Sequence, residues 1–423
     1  MLVRNTTENR IPKRTDAYFT EPEMSIPVYF AKAADYRDEE LLPALDKLLA
    51  PLIEKLGGAA GKSFMLKPNL LSYRKAEDVS STHPRVIVGC AKWLFDHGAA
   101  RVALIENPGT QDTPAIIHAM GIYDELTSLG ATVANCSRYA MIELAPEAKC
   151  RRMELATEFR DFDAVIDLAK AKTHAMMEIT LSVKNLFGLV RGSERIAWHL
   201  AAGKSYPRFA DMLIDIALTV KPRINLVDAV ICMEGNGPGS GEPTFRGFLA
   251  GAETPFSLDA ALAPLLGAPE CPQLAPMLGA PECPQLGRMR ERGLRPETEI
   301  VGEVPECPPL RMPERENPLD MSRYIPGFIA KWLQKSLVSH PEVNATRCIG
   351  CGLCARVCPP KTLTLNGKFP KFELKTCIRC YCCQEYCPQG AIVVRRTVMM
   401  KIAGRLERVL RRVAGWFNRR RRK

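Results

Sequence analysis

Two cysteine runs near the C-terminal end constrain this chain more than any other feature. Cys348, Cys351, Cys354 and Cys358-Pro359 form the first, and Cys377, Cys380, Cys383 and Cys387-Pro388 form the second. Both read C-x2-C-x2-C-x3-C-P. Nine of the sixteen cysteines fall between Cys348 and Cys387, so they point to a local metal centre and not to a disulfide framework spread along the chain. Three thiolates at this spacing can wrap one corner of a cubane cluster, after which the turn has run out and the fourth ligand must come from a distant segment. Zinc sites draw four ligands into one closed site and need no such exchange.

This spacing resembles the bacterial two-cluster ferredoxins, in which the fourth cysteine of each run ligates the other cluster. The resemblance implies two [4Fe-4S] clusters, one held by Cys348, Cys351, Cys354 and Cys387, the other by Cys377, Cys380, Cys383 and Cys358. Cys382 falls outside the spacing and is expected to be a non-ligand. Between the runs, LTLNGKFPKFEL places Asn366-Gly367 between alternating apolar residues, a hairpin signal that joins two pseudo-equivalent halves.

Residues 25–304 carry a different rhythm. Apolar runs rich in β-branched residues begin at Ile26, Ser63, Arg101, Thr132, Asp163 and Ile224, and amphipathic stretches run over 38–55, 84–97 and 210–220. That alternation predicts an α/β domain with a mostly parallel sheet covered by helices. A small α+β ferredoxin-like module over 341–394 follows, reached through a Pro-rich linker and short helix over 305–340. Residues 1–24 form an N-terminal extension. The segment APLLGAPECPQL at 263–274 recurs almost unchanged as APMLGAPECPQL at 275–286. One tandem copy is too short for a solenoid and reads as a duplicated surface segment. Cys271, Cys283 and Cys307 lack the close spacing of metal ligands.

Two glycine-rich stretches imitate nucleotide loops. GGAAGKS at Gly57 to Ser63 has Leu56 where a phosphate loop needs glycine, and it precedes a strand instead of following one. GNGPGSG from Gly235 contains Pro238 and runs into Glu242-Pro243, which disfavours the helix that a dinucleotide fold would open there.

The remaining polar residues cluster at predicted strand ends: Lys67-Pro68-Asn69, Thr82-His83-Pro84, Lys172-Thr173-His174, Lys184-Asn185, His199, Asp228 and Glu234-Gly235-Asn236. KPNLL, STHP, AKTH, SVKNLFGL and MEGNGP resemble, in order, the motifs of the family called domain of unknown function 362, which often carries a fused ferredoxin module. Loops after parallel strands converge at one sheet edge, where open α/β proteins place ligands. Lys67, Asn69, Asn185, Glu234 and Asn236 are therefore candidates to hold an anionic ligand. Lys172, His174, Lys184 and His199 are candidates to act on it, with the histidines moving protons near neutral pH; Lys170 is set aside because Lys172 follows so closely. Two readings stand: an iron–sulfur oxidoreductase passing electrons to a ligand in the α/β body, and a non-enzymatic carrier or assembly factor that docks a redox partner protein.

The formal net charge of +11 is local. Residues 395–423 hold twelve Lys or Arg against Glu407, and the rest of the chain balances. On a helical projection Val398, Ile402, Leu406, Val409, Val413 and Trp416 share an arc of about 120° with Arg405, Arg408, Arg411 and Arg412 opposite. This is an interfacial pattern, suited to an anionic membrane surface or to packing on the protein's own body. A bare Arg run would bind nucleic acid without needing the apolar stripe, which disfavours that partner. The first twenty residues lack a signal-peptide core, and no apolar run reaches about 18 residues. The expected location is cytoplasmic, at most peripheral on the inner face of a membrane.

Overall fold

The computed structural model describes residues 25–71, 79–109, 111–202, 205–239, 241–268, 283–313 and 340–395. The N-terminal extension, the expected helix before the cysteine module, Cys271 and residues 396–423 of the basic tail lie outside them.

The body is built on one nine-stranded sheet. Its strands are β1 (Ile26–Lys32), β2 (Ser63–Pro68), β3 (Arg101–Glu106), β4 (Thr132–Asn135), β7 (Ala164–His174), β8 (Glu178–Thr180), β9 (Ile224–Glu234), β10 (Glu242–Ala252) and β11 (Thr298–Gly302), in the order β11-β1-β10-β9-β7-β2-β3-β4 with β8 folded onto β7. Strands β9, β7, β2, β3 and β4 run parallel, as the sequence rhythm predicts. β10 is the departure. It returns antiparallel between β9 and β1, and its composition, EPTFRGFLAGA, hides it because Gly and Pro weaken the strand signal. A separate hairpin pairs β5 (Tyr139–Glu143) with β6 (Arg152–Ala156).

Side chains alternate across the sheet and feed two cores. Phe64, Leu66, Ile166, Leu168, Ile224 and Leu226 face helices α1 (Asp38–Glu54) and α2 (Pro84–Asp96), with α3 (Thr113–Ala119) and α4 (Tyr123–Ser128) beside them. Met65, Val165, Ala169, Val227 and Ala229 face the other way. That side is covered by α5 (Ser182–Asn185), α6 (Gly192–Ala202), α7 (Tyr206–Val220), α8 (Pro255–Leu265) and α9 (Pro284–Glu291).

Two boundaries differ from expectation. Residues 305–313, expected to be linker, pack on the body: Leu310 is buried in its core, and the Arg311 carbonyl accepts from Gly235 N at 2.6 Å. The described ends of the duplication are core and not surface, since Leu266, Cys283 and Leu286 are buried. Their apolar side chains outweigh the turn-forming Pro and Gly around them.

The C-terminal module pairs β12 (His340–Val343) with β15 (Ile392–Arg395), and β13 (Leu363–Asn366) with β14 (Phe369–Phe372). The β13–β14 hairpin turns at Asn366-Gly367, with Gly367 at φ 61°. Short helices α10 (Leu353–Arg356) and α11 (Cys382–Glu385) carry the third cysteine of each run, Cys354 and Cys383.

Candidate functional site

Strands β2, β3, β7 and β9 end together at the carboxyl edge of the sheet, and their last residues form a dense polar network. Lys67 is fully buried, with its Nζ 2.5 Å from Glu106 Oε2. Gly188 of the SVKNLFGL stretch makes room for this pair, because a Cβ there would overlap the Glu106 carboxylate. Asn185 Nδ2 donates to Asp167 Oδ1 at 2.7 Å and to the Lys67 carbonyl at 3.2 Å, while its Oδ1 accepts from Asn69 Nδ2 at 3.1 Å. Lys172 Nζ donates to Asn69 Oδ1 and to the Ser80 carbonyl, both at 2.6 Å. Lys67, Asn69, Asn185 and Lys172 thus brace one another and the sheet edge. Asp167 is fully buried, so burial pushes its carboxyl up to about 7 even though Lys67, Ser182 and Asn185 oppose the shift.

The GNGP loop crosses the end of β7, with Ala175 N donating to the Gly237 carbonyl at 3.1 Å. A Cβ on Gly237 would collide with the Thr173 carbonyl, so this crossing needs glycine. Glu234 accepts from Arg311 N at 3.1 Å and faces Arg246 and Arg311 at 3.6 and 3.7 Å. His174 Nδ1 accepts from Met176 N and Met177 N at 3.0 and 3.2 Å, which fixes the turn into β8 and leaves its proton on Nε2. On the α1–α2 side, Lys170 pairs with Asp228 at 2.7 Å, Tyr36 donates to the same carboxylate at 2.8 Å, and His83 stacks on Tyr36. Lys170, set aside from the sequence, is therefore a buried structural cation.

Lys184 and His199 are placed differently. Lys184 is 92 percent buried on α5 (8% exposed), with no hydrogen-bond or ion-pair partner among the described residues. His199 is buried against Phe209, with ring centroids 4.3 Å apart, and its Nδ1 has no hydrogen-bond partner. Burial pulls the Lys184 ammonium below the ordinary lysine range and the His199 imidazole down to about 4. The expectation that His199 titrates near neutral pH gives way here, since desolvation keeps it neutral; of the acidic groups on this edge, Asp167, held by Ser182 and Asn185, lies near 7.

The second half of the cysteine module sits on this edge. Gln384 Nε2 donates to the Asn236 carbonyl at 2.9 Å, Tyr386 lies against Gly109, and Ile196 of α6 packs with Cys382 and Tyr386. Tyr381 packs with Ala175. Glu385 faces the cations of the body: burial raises its pKa, but the charges of Lys184, Arg195 and Lys172 more than offset this and hold it below the usual carboxylate range. Within the module, Cys348, Cys351, Cys354 and Cys387 line one cavity, and Cys358, Cys377, Cys380 and Cys383 line a second. Cys382 lines neither. Sequence reasoning missed Glu106, Asp167, Arg195 and Glu385. For Glu385 a signal existed: where the second run has Gln384-Glu385-Tyr386, the first has Ala355-Arg356-Val357.

Residues 65–264 match a domain of unknown function (DUF362). The thylakoid-associated protein sll1697 of Synechocystis is 32% identical over 252 residues, covering 56% of this chain and 74% of the relative. The chain belongs to the DUF362 family. This DUF362 protein also matches a 4Fe-4S dicluster domain over residues 347–391, which makes it an iron–sulfur protein of the electron-transfer kind. Among solved structures, the lactate racemase apoprotein of Thermoanaerobacterium thermosaccharolyticum is similar with a TM-score of 0.35 and 13% identity over 55% of each chain. A Thermotoga maritima protein is similar with a TM-score of 0.32 and 14% identity, over 50% of this chain and 54% of its own. The chain spans about half the length of each. Among the described residues of the DUF362 chain, no helix is long and apolar enough to cross a membrane.

Proposed function

We propose that this protein is an iron–sulfur oxidoreductase whose α/β body binds a small anionic ligand beside the second cysteine run. The observation that carries the reading is Lys184, a buried cation without a hydrogen-bonding partner among the described residues, on the edge against which Cys382, Gln384 and Glu385 pack. A buried ammonium without a hydrogen bond or ion pair is costly; Glu385 acts on Lys184 only through space, so an anion in direct contact would lower that cost further, and the site favours one.

The two cavities, each lined by four cysteines, fit two [4Fe-4S] clusters. Cys348, Cys351, Cys354 and Cys387 would hold the first, and Cys358, Cys377, Cys380 and Cys383 the second. Such clusters, when bound, take up and release single electrons. The chain's own residues do the rest. Lys184 attracts the anion, neutral His199 offers a ring nitrogen to it, and the Lys67–Glu106 pair with Asn69, Asn185 and Lys172 keeps the edge rigid. Asp167, near 7, lies one hydrogen bond behind Asn185 and can hold or release a proton there. Membrane attachment through residues 395–423 is part of the proposal, supported by the tail's amphipathic pattern and by the likeness to the thylakoid-associated protein of Synechocystis.

The test is electron paramagnetic resonance of the anaerobically purified, reduced chain, titrated with small carboxylates and phosphates. A ligand is expected to shift the second cluster's signal, and Lys184→Ala to abolish the shift at unchanged iron content. If no anion shifts the signal, or Lys184→Ala leaves the shift intact, the carrier reading replaces this one.

A further inference from the structure

The two halves of the ferredoxin-like module present opposite surfaces. The second half turns Tyr381, Cys382, Gln384 and Tyr386 toward the α/β body and buries them. At three matched positions the first half is the more exposed: Cys351 against buried Cys380, Arg356 against half-buried Glu385, and Ile349, 59% exposed, against half-buried Ile378.

Ile349, Leu365 and Lys368 all line the first cysteine cavity, and all three also reach solvent. A single layer of side chains therefore separates that cavity from whatever touches the surface. Phe369 adds a further exposed apolar ring at the tip of the β13–β14 hairpin, and its strand neighbour Lys371 is also exposed. Among the described residues of the module the exposed charges are Arg347, Arg356, Lys361, Lys368, Lys371 and Lys375, against Glu373 alone. None of the six basic residues forms an ion pair with a described residue. Of these, Lys368 lines the first cavity, Lys371 shares its hairpin and Arg347 precedes Cys348 in sequence, so the exposed apolar centre has a basic rim, the arrangement that steers a negatively charged protein to one spot.

We propose that this rim is the docking surface for a small acidic electron-carrier protein, which exchanges electrons with the chain through the first cysteine cavity. The proposal rests on the iron–sulfur reading above and adds the direction of traffic: entry at the exposed first half, delivery at the buried second half. In the step, one electron leaves the reduced carrier and one cluster gains it; no bond forms or breaks and no proton moves.

Stopped-flow reduction of the full, cluster-loaded chain by a reduced acidic flavodoxin tests this, with dithionite as a reductant that needs no docking. The flavodoxin rate constant is expected to fall at least about tenfold between low and near-physiological salt. Lys368→Glu with Lys371→Glu is expected to lower it by about tenfold at low salt, with iron content and the dithionite rate unchanged. A wild-type rate that is indifferent to salt, or that rises with it, overturns the proposal without any variant. So does a wild-type rate retained in the charge-reversed chain. If that variant instead loses sedimentation with anionic vesicles while keeping its flavodoxin rate, the rim belongs to a lipid surface. The ligand-induced shift that depends on Lys184 is measured separately, so loss of the docking effect with that shift intact rejects only the rim.

Discussion

The Lys67–Glu106 pair shows how a charge at a sheet edge can be structural. With both side chains out of water, removing one leaves the other uncompensated, whereas removing both with apolar residues is often neutral. Lys67→Met is expected to destabilise the body by about 3–5 kcal/mol, and the double variant Lys67→Met with Glu106→Leu to recover most of that loss, measured by urea unfolding of the anaerobic protein. The sequence made Lys67 conspicuous but could not say which role it has. Its partner lies on another strand, 39 residues away, and nothing in KPNLL announces it. Lys184 looks the same in sequence, yet its surroundings give it no hydrogen bond or ion pair among the described residues, only the charge of Glu385 at longer range. His199 was visible as a candidate, but its burial between Phe187 and Phe209, and hence its low pKa, depends on helix packing that local patterns do not encode.

At the scale of elements, the cysteine halves are alike in spacing and unlike in surface. Gly350 and Gly352 adopt left-handed backbone in the first half, at φ 77° and 69°; Arg379 and Tyr381 do so in the second, at 54° and 57°. A bulky residue in that region costs about 1–2 kcal/mol, and Tyr381, which adopts it, packs against Ala175 of the body. The crossed lining of the two cavities makes a sharp prediction. Cys358→Ser is expected to remove the iron of the cluster lined by Cys377, Cys380 and Cys383 while sparing the other, and Cys382→Ser to leave all of about eight irons in place, read by iron analysis and electron paramagnetic resonance. Spacing alone carried this far because ligand geometry is local. The α/β core was legible for the same reason in β2, β3, β7 and β9, whose apolar runs are long. Antiparallel β10 was not, since its glycines and proline mask a strand held in place by neighbours on both sides.

For the whole molecule, the unbalanced charge of residues 395–423 bears on where the protein works. Apolar contact and anionic-lipid attraction act together on such a segment, the latter contributing about 1 kcal/mol per basic residue near the surface. The full chain is expected to sediment with anionic vesicles at low salt, and a chain ending at Val394 to stay in the supernatant with both clusters loaded; equal behaviour would return the tail to packing on the body. The strand order has a consequence of a different kind, in time. β1 is flanked by β10 and β11, so Val28 waits for Ala252, roughly 220 residues later in synthesis. At ribosomal rates that is on the order of ten to forty seconds during which the first strand of the nascent chain has no neighbours. The thiols of the cysteine runs leave the ribosome only afterwards, when every strand whose end forms their seat has already been made. Iron can therefore be delivered to a polypeptide that already possesses the surface its second cluster will rest on.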